Sequence, residues 1–167
     1  MSSESSRRTF LQGVPAAMTA AAALPSAAAA AEPAAGDVKL GIASYSFREF
    51  SRALAIKYTK QLNCPYLCIK EFHALYRSTP EELARARADF EKNGLPLTGG
   101  GTVYIQKEDV DDIKSYFEYA KRLGMPMMNI GPTAKTLPMI EKFAVQYDIK
   151  IAIHNHGPED KHFPAPS

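Results

Sequence analysis

Residues able to do chemistry gather in two stretches of this 167-residue chain. Near its end, Lys150-Ile-Ala-Ile-His154-Asn-His156-Gly-Pro-Glu-Asp160 carries two imidazoles two positions apart. Side chains alternate along a strand, so Ile149, Ile151 and Ile153 share one face and Ala152, His154 and His156 the other. Two histidines on one strand face stand about 6.6 Å apart along the backbone, within reach of one metal ion or one substrate. The same spacing also suits a pair of hydrogen-bonded histidines in a loop, a structural role that needs no ligand. The second stretch, Lys70-Glu71-Phe72-His73, follows directly on the strand-like run Tyr66-Leu-Cys-Ile69. An ammonium, a carboxylate, an aromatic ring and an imidazole at the carboxyl end of a strand suit an active-site rim. They equally suit the start of a solvated loop. Tyr45 and Phe47, after the first strand, add rings that could line a pocket or simply pack, and Tyr104, after a glycine run, adds one that could face a ligand.

The elements that must position these residues follow from periodicity and punctuation. Strand 1 is expected at 38–43. Helix 1 begins near Ser51 with Leu54, Tyr58 and Leu62 as its apolar stripe, and Asn63 and Pro65 stop it. Helix 2 opens on the capping box Thr79-Pro80-Glu81-Glu82, buries Leu83, Ala86 and Phe90, and closes at Asn93-Gly94. Strand 3 is read at 95–98, and Gly99-Gly-Gly101-Thr-Val-Tyr104 as rim. With neither a Gly-Lys-Ser/Thr nor a GxGxxG spacing, that glycine run does not read as a nucleotide cradle. Helix 3 presents Val110, Ile113, Phe117 and Ala120 on one face and closes at Leu123-Gly124. Strand 4 spans 127–130. Helix 4 spans 137–147 and buries Ile140, Phe143 and Ala144; the stretch with the two histidines is strand 5.

Five strands alternating with four helices predict an α/β fold with a parallel sheet. A five-stranded doubly wound domain and the first part of an eight-fold barrel both fit. The run Phe163-Pro-Ala-Pro-Ser167 reads as a loop rather than a helix covering strand 5. A barrel takes about 250 residues. The expected fold is therefore a partial (β/α)8 TIM barrel of about five parallel strands and four intervening helices, truncated before strand 6.

Composition narrows the partners. The chain is 46% hydrophobic and 23% charged, with a formal net charge of +2. Its basic residues are spread among acidic ones, which argues against nucleic acid or an anionic membrane surface. Cys64 and Cys68 are the only cysteines. In extended chain they stand roughly 13 Å apart, beyond disulfide reach. No Cys/His zinc spacing is present. Residues 1–31 read as a segment outside the fold. Ser6-Arg7-Arg8-Thr9-Phe10-Leu11-Gln12 resembles a twin-arginine export signal, and an alanine-rich run broken by Pro15 and Pro25 follows it. That resemblance implies cleavage before Glu32, delivery to the periplasm or exterior, and no membrane insertion afterwards. A disordered alanine-rich leader is the alternative. Residues 32–37 then form a linker, and 38–167 the barrel portion.

Two blocks carry a family resemblance. Ile69-Lys70-Glu71-Phe72-His73 with Ser78-Thr79-Pro80-Glu81-Glu82 is the first, and Ile151-Ala-Ile-His154-Asn-His156-Gly-Pro-Glu-Asp160-Lys-His-Phe-Pro is the second. Together they resemble the sugar phosphate isomerase/epimerase family of xylose-isomerase-like TIM barrels, in its exported members. The resemblance implies a sugar isomerase or epimerase with a divalent metal (Mn, Mg, Zn or Co) at the carboxyl face of the barrel. Such a metal holds neighbouring sugar oxygens and lowers the cost of the enediolate formed by proton abstraction. Relatives build the metal site from Glu, Asp, His and Glu on strand 5 and later strands. His154 stands where many of them have the first glutamate, which makes His154 and His156 the metal candidates. Lys70, Glu71, His73, Tyr104 and Tyr45 are candidate contacts to a small-molecule sugar. The catalytic base and the remaining ligands are expected on strands 6 to 8. Phosphate recognition has no support in the sequence. Two other functions stay open. One is a non-catalytic half-barrel that binds sugar or metal weakly and self-associates through exposed sheet edges. The other is a metal-dependent hydrolase or lyase on the same barrel.

Overall fold

A computed structural model describes residues 39–159 of the chain. The export signal and linker read at 1–37 lie outside the described residues, as do residues 160–167. Five strands, β1 (Gly41–Ala43), β2 (Tyr66–Ile69), β3 (Leu97–Ile105), β4 (Met127–Pro132) and β5 (Lys150–Ile153), alternate with four helices. These are α1 (Arg52–Gln61), α2 (Pro80–Glu91), α3 (Val110–Leu123) and α4 (Leu137–Tyr147). All neighbouring strands pair in parallel, in the order β1-β2-β3-β4-β5. A doubly wound sheet reverses its strand order at a switch point; this one never does. Right-handed crossovers between consecutive neighbours put every helix on the same face.

The two faces of the sheet differ accordingly. Leu67, Ile69, Val103, Ile105, Met128 and Ile130 are buried beneath the helices, packed with Leu83, Phe90, Ile113, Phe117 and Ile140. The opposite face carries small and polar residues such as Ala43, Cys68, Asn129 and Ala152. There the Asn129 amide lies 3.7 Å from the Cys68 sulfur.

Local sequence explains most element boundaries. The Thr79 hydroxyl accepts from the Glu82 N–H at 3.3 Å, and the Glu82 carboxylate from the Thr79 N–H at 2.8 Å. This capping box with Pro80 in the first turn starts α2 as the sequence predicts. The Asp109 carboxylate caps α3, and Gly124, at φ +73°, ends it in the left-handed conformation glycine favours.

Four expectations need correcting. α1 buries Ala55, Ile56 and Thr59, while Leu54 and Leu62 of the expected stripe are exposed. The Thr59 hydroxyl on that buried face is satisfied by the Ala55 carbonyl at 2.8 Å. Val110, at the first position of α3, is exposed, and Ala144 of α4 is only half-buried. The glycine run lies inside β3 rather than on the rim. The β3–β4 register breaks between Gly100 and Val103, forming a bulge. Gly101 sits there at φ +104°, and a Cβ at this position would collide with the Asn129 carbonyl.

Candidate functional site

The carboxyl ends of β1, β2, β3 and β5 surround a cavity of about 520 Å³. Tyr45 enters it from the turn after β1, its ring 6.0 Å from that of Phe72. The Arg48 guanidinium lies over the same tyrosine ring, 4.7 Å from its centroid. Lys70 and Glu71 come from the end of β2. The Lys70 backbone N–H donates to the Ser44 hydroxyl at 2.8 Å, which fixes where the side chain leaves the strand. Its ammonium reaches the Thr102 hydroxyl at 3.5 Å. Burial, the larger cause, raises the pKa of the Cys68 thiol beneath, and the Lys70 charge partly offsets this.

The bulge in β3 aims Thr102 and Tyr104 at the cavity. Tyr104 is opposite Gly131 in register, and its ring covers that glycine so closely that a Cβ there would strike it. Tyr76 completes the wall. Its hydroxyl donates to the Thr102 carbonyl at 3.3 Å, and its ring meets Tyr116 and Tyr119 edge-on at 5.5 and 5.1 Å. Burial, with the Glu71 charge second, lifts its hydroxyl pKa far above the ordinary range, so it stays a neutral donor.

His154 reaches the cavity from the far side. Its backbone N–H donates to the Ile130 carbonyl at 2.8 Å, carrying the β4–β5 ladder one residue past β5. The strand itself ends at Ile153, so His156, expected on the same strand face, follows outside it. The two imidazoles nevertheless meet edge-on, centroids 4.6 Å apart.

Of the seven site residues expected from sequence, Tyr45, Lys70, Glu71, Tyr104 and His154 share this cavity, and His156 touches His154. His73 does not join them. It is 2% exposed, its Nδ1 lies 3.0 Å from the Ser44 hydroxyl, and its Nε2 lies 3.2 Å from the Phe47 and Phe50 carbonyls. Glu71–His73 form a 3₁₀ turn, in which successive side chains diverge by about 120°. That turn sends Glu71 to the cavity and His73 inward. Tyr76 and Thr102 line the cavity and were not singled out from sequence, and Phe72, read there as part of the rim after strand 2, lines it too. Thr102 was hidden within a glycine run. Tyr76 stands in a loop, where periodicity carries no signal.

The metal expected from the resemblance finds an incomplete shell. No group of three or more His, Cys, Asp or Glu residues placed to hold an ion occurs among the described residues. Two adjacent imidazoles offer at most two ligands, short of a closed shell.

Solved structures place the architecture. An uncharacterized protein from Parabacteroides distasonis superposes at a TM-score of 0.64 with 24% identity, over 71% of this chain and 53% of that one. A D-psicose 3-epimerase, crystallised in the presence of D-fructose, superposes at 0.56 with 19% identity, over 75% of this chain and 55% of that one. The fold is that of a partial (β/α)8 barrel. A xylose isomerase domain protein from Planctomyces limnophilus matches more loosely, at 0.46 and 12% identity over 73% of this chain and 55% of that one. This partial barrel spans about half the length of those proteins. No family model and no curated protein matches its sequence. The cavity sits at the carboxyl ends of the strands, the face on which barrels of this kind carry their active sites.

Proposed function

We propose that the cavity binds a sugar, and that the barrel to which this chain corresponds interconverts sugars by moving a proton on a carbon beside a carbonyl. The carrying observation is the composition of the wall: four aromatic rings, Tyr45, Phe72, Tyr76 and Tyr104, beside Lys70, Glu71, Thr102 and His154. A sugar presents C–H faces that pack on aromatic rings and a rim of hydroxyls that need donors and acceptors. The ammonium of Lys70, beside the Thr102 hydroxyl, offers positive charge where oxygen gains negative charge in an enediolate. Glu71 and His154 are the wall groups able to take up a proton, given a substrate carbon within hydrogen-bond reach. The fold shared with a D-psicose 3-epimerase supports a sugar as ligand.

A divalent metal, if His154 and His156 hold one, would polarise the sugar oxygens at this end of the cavity. The shell then needs donors beyond the described residues. Export to the periplasm or exterior rests on the Arg7-Arg8 segment alone, and the mature amino terminus found by mass spectrometry tests it.

The decisive experiment incubates the protein with D-fructose in deuterated water and follows both binding and deuterium at the carbon beside the carbonyl. Binding with exchange supports an isomerase or epimerase. Binding without exchange leaves a sugar-binding partial barrel. Absence of both, in a protein shown to be folded, defeats the proposal.

A further inference from the structure

His73 joins the two loops that form one wall of the cavity. The loop after β2 is anchored independently of this ring. Arg52 of α1 donates to the His73 carbonyl at 3.1 Å, and the Tyr119 hydroxyl of α3 donates to the Ala74 carbonyl at 2.9 Å. The loop after β1, Ser44 to Phe50, carries Tyr45 and is hydrogen-bonded to the second loop through the imidazole and Ser44, with the Tyr45 ring also against that of Phe72.

The hydrogen-bond directions follow from counting protons. The Ser44 hydroxyl oxygen accepts from the Lys70 N–H, and its single proton is free to donate to His73 Nδ1. Nε2 faces two carbonyls, of Phe47 and Phe50, and must therefore be the protonated nitrogen. The neutral Nε2–H tautomer satisfies every partner. A proton added at Nδ1 would turn an N–H toward Ser44 and displace the hydroxyl proton. Ser44 is 0% exposed, so no water can receive it.

Charges packed around the ring do not favour that proton. From α1, Arg52 lies against the loop and pairs with Asp89 of α2 at 2.9 Å. Glu82 and Arg85 of α2 line the crevice on the ring's outer side, Arg48 and Glu49 of the first loop pair with each other, and Lys70 and Glu71 precede the ring in its own loop. Burial is the main cause holding the ring's pKa below its ordinary value, ahead of the opposing carbonyl contacts.

We propose that His73 is a positioning residue: its neutral imidazole latches the first loop, and Tyr45 with it, onto the cavity, and its protonation releases that loop. The latch is independent of which ligand the cavity takes. The locked loop binds one proton fewer than the released loop. The ratio of released to locked loop therefore rises by up to about tenfold per pH unit as pH falls from the ring's ordinary value toward its lower value in the locked loop, and levels off below that.

The test uses the full chain without ligand, from about pH 7.5 down to about pH 5. Long-range proton–nitrogen correlation reads the His73 tautomer, and amide hydrogen exchange, expressed as protection factors, reads the loops. The expected result is an Nε2–H ring at the upper pH. As the ring titrates, protection of the Phe50 and Lys70 amides falls while that of Ala74 and Ile130 holds. In His73→Gln the Phe50 and Lys70 protection no longer depends on pH. A proton on Nδ1 at the upper pH, or a ring that titrates with no change at Phe50, overturns the proposal. So does an equal pH response in His73→Gln. Should that variant not fold, the two wild-type titrations decide the matter alone.

Discussion

Two histidine-bearing regions meet at opposite sides of one cavity and are put to opposite uses. At the end of β2, His73 is sealed from solvent with both ring nitrogens bonded to the neighbouring loop. At the end of β5, His154 is exposed on the cavity wall beside His156. Each follows the carboxyl end of a parallel strand, so position along the fold does not distinguish them. Geometry immediately after the strand does. A 3₁₀ turn rotates His73 away from the strand's open face, whereas one extra ladder bond keeps His154 on it. A buried imidazole with fixed partners holds structure together; the exposed one lines the cavity wall against its neighbouring imidazole.

Substitutions can break or sharpen this contrast. His73→Ala removes bonds to Ser44, Phe47 and Phe50 and leaves a void, and should destabilise the chain by about 2–4 kcal/mol in urea titration. The pH response sharpens the point. Since the folded pKa is depressed, the folded chain holds fewer protons, and this contribution is complete above about pH 6.5. It is lost as pH falls from there through the folded value, so the alanine variant should show a flatter acid limb.

Lys70→Met keeps the aliphatic stem and deletes the charge. It should weaken D-fructose binding by about tenfold, or 1.4 kcal/mol, by calorimetry while leaving stability within about 0.5 kcal/mol. Gly131→Ala drives a methyl into the Tyr104 ring and should cost about 1 kcal/mol of stability, with shifted Tyr104 ring resonances. His154→Ala should be the mildest for stability, within about 0.5 kcal/mol, and should act on binding instead. Were it to unfold the chain as readily as His73→Ala, the contrast between the two regions would collapse.

The sequence showed the barrel-like alternation because its signals are local. The Thr79–Glu82 capping box, the Leu123-Gly124 stop and the branched strand runs each report backbone geometry within a few residues. α1 escaped that logic. Its buried face is set by tertiary packing, which covers Ala55, Ile56 and Thr59 and leaves Leu54 and Leu62 exposed.

The candidate site divides the same way. Its residue types, and their location at strand ends, were visible in Tyr45, Lys70, Glu71, Tyr104 and His154. Its walls were not, because Tyr76 and Thr102 are brought to the cavity by a loop crossing and a strand bulge. Taken alone, the sequence determined the order of elements and the set of groups available for chemistry, since both follow from nearest neighbours along the chain. Only the tertiary structure decided which groups face one another. That depends on strand register, the Gly101 bulge and the rotation of one 3₁₀ turn, contacts made between segments some thirty residues apart.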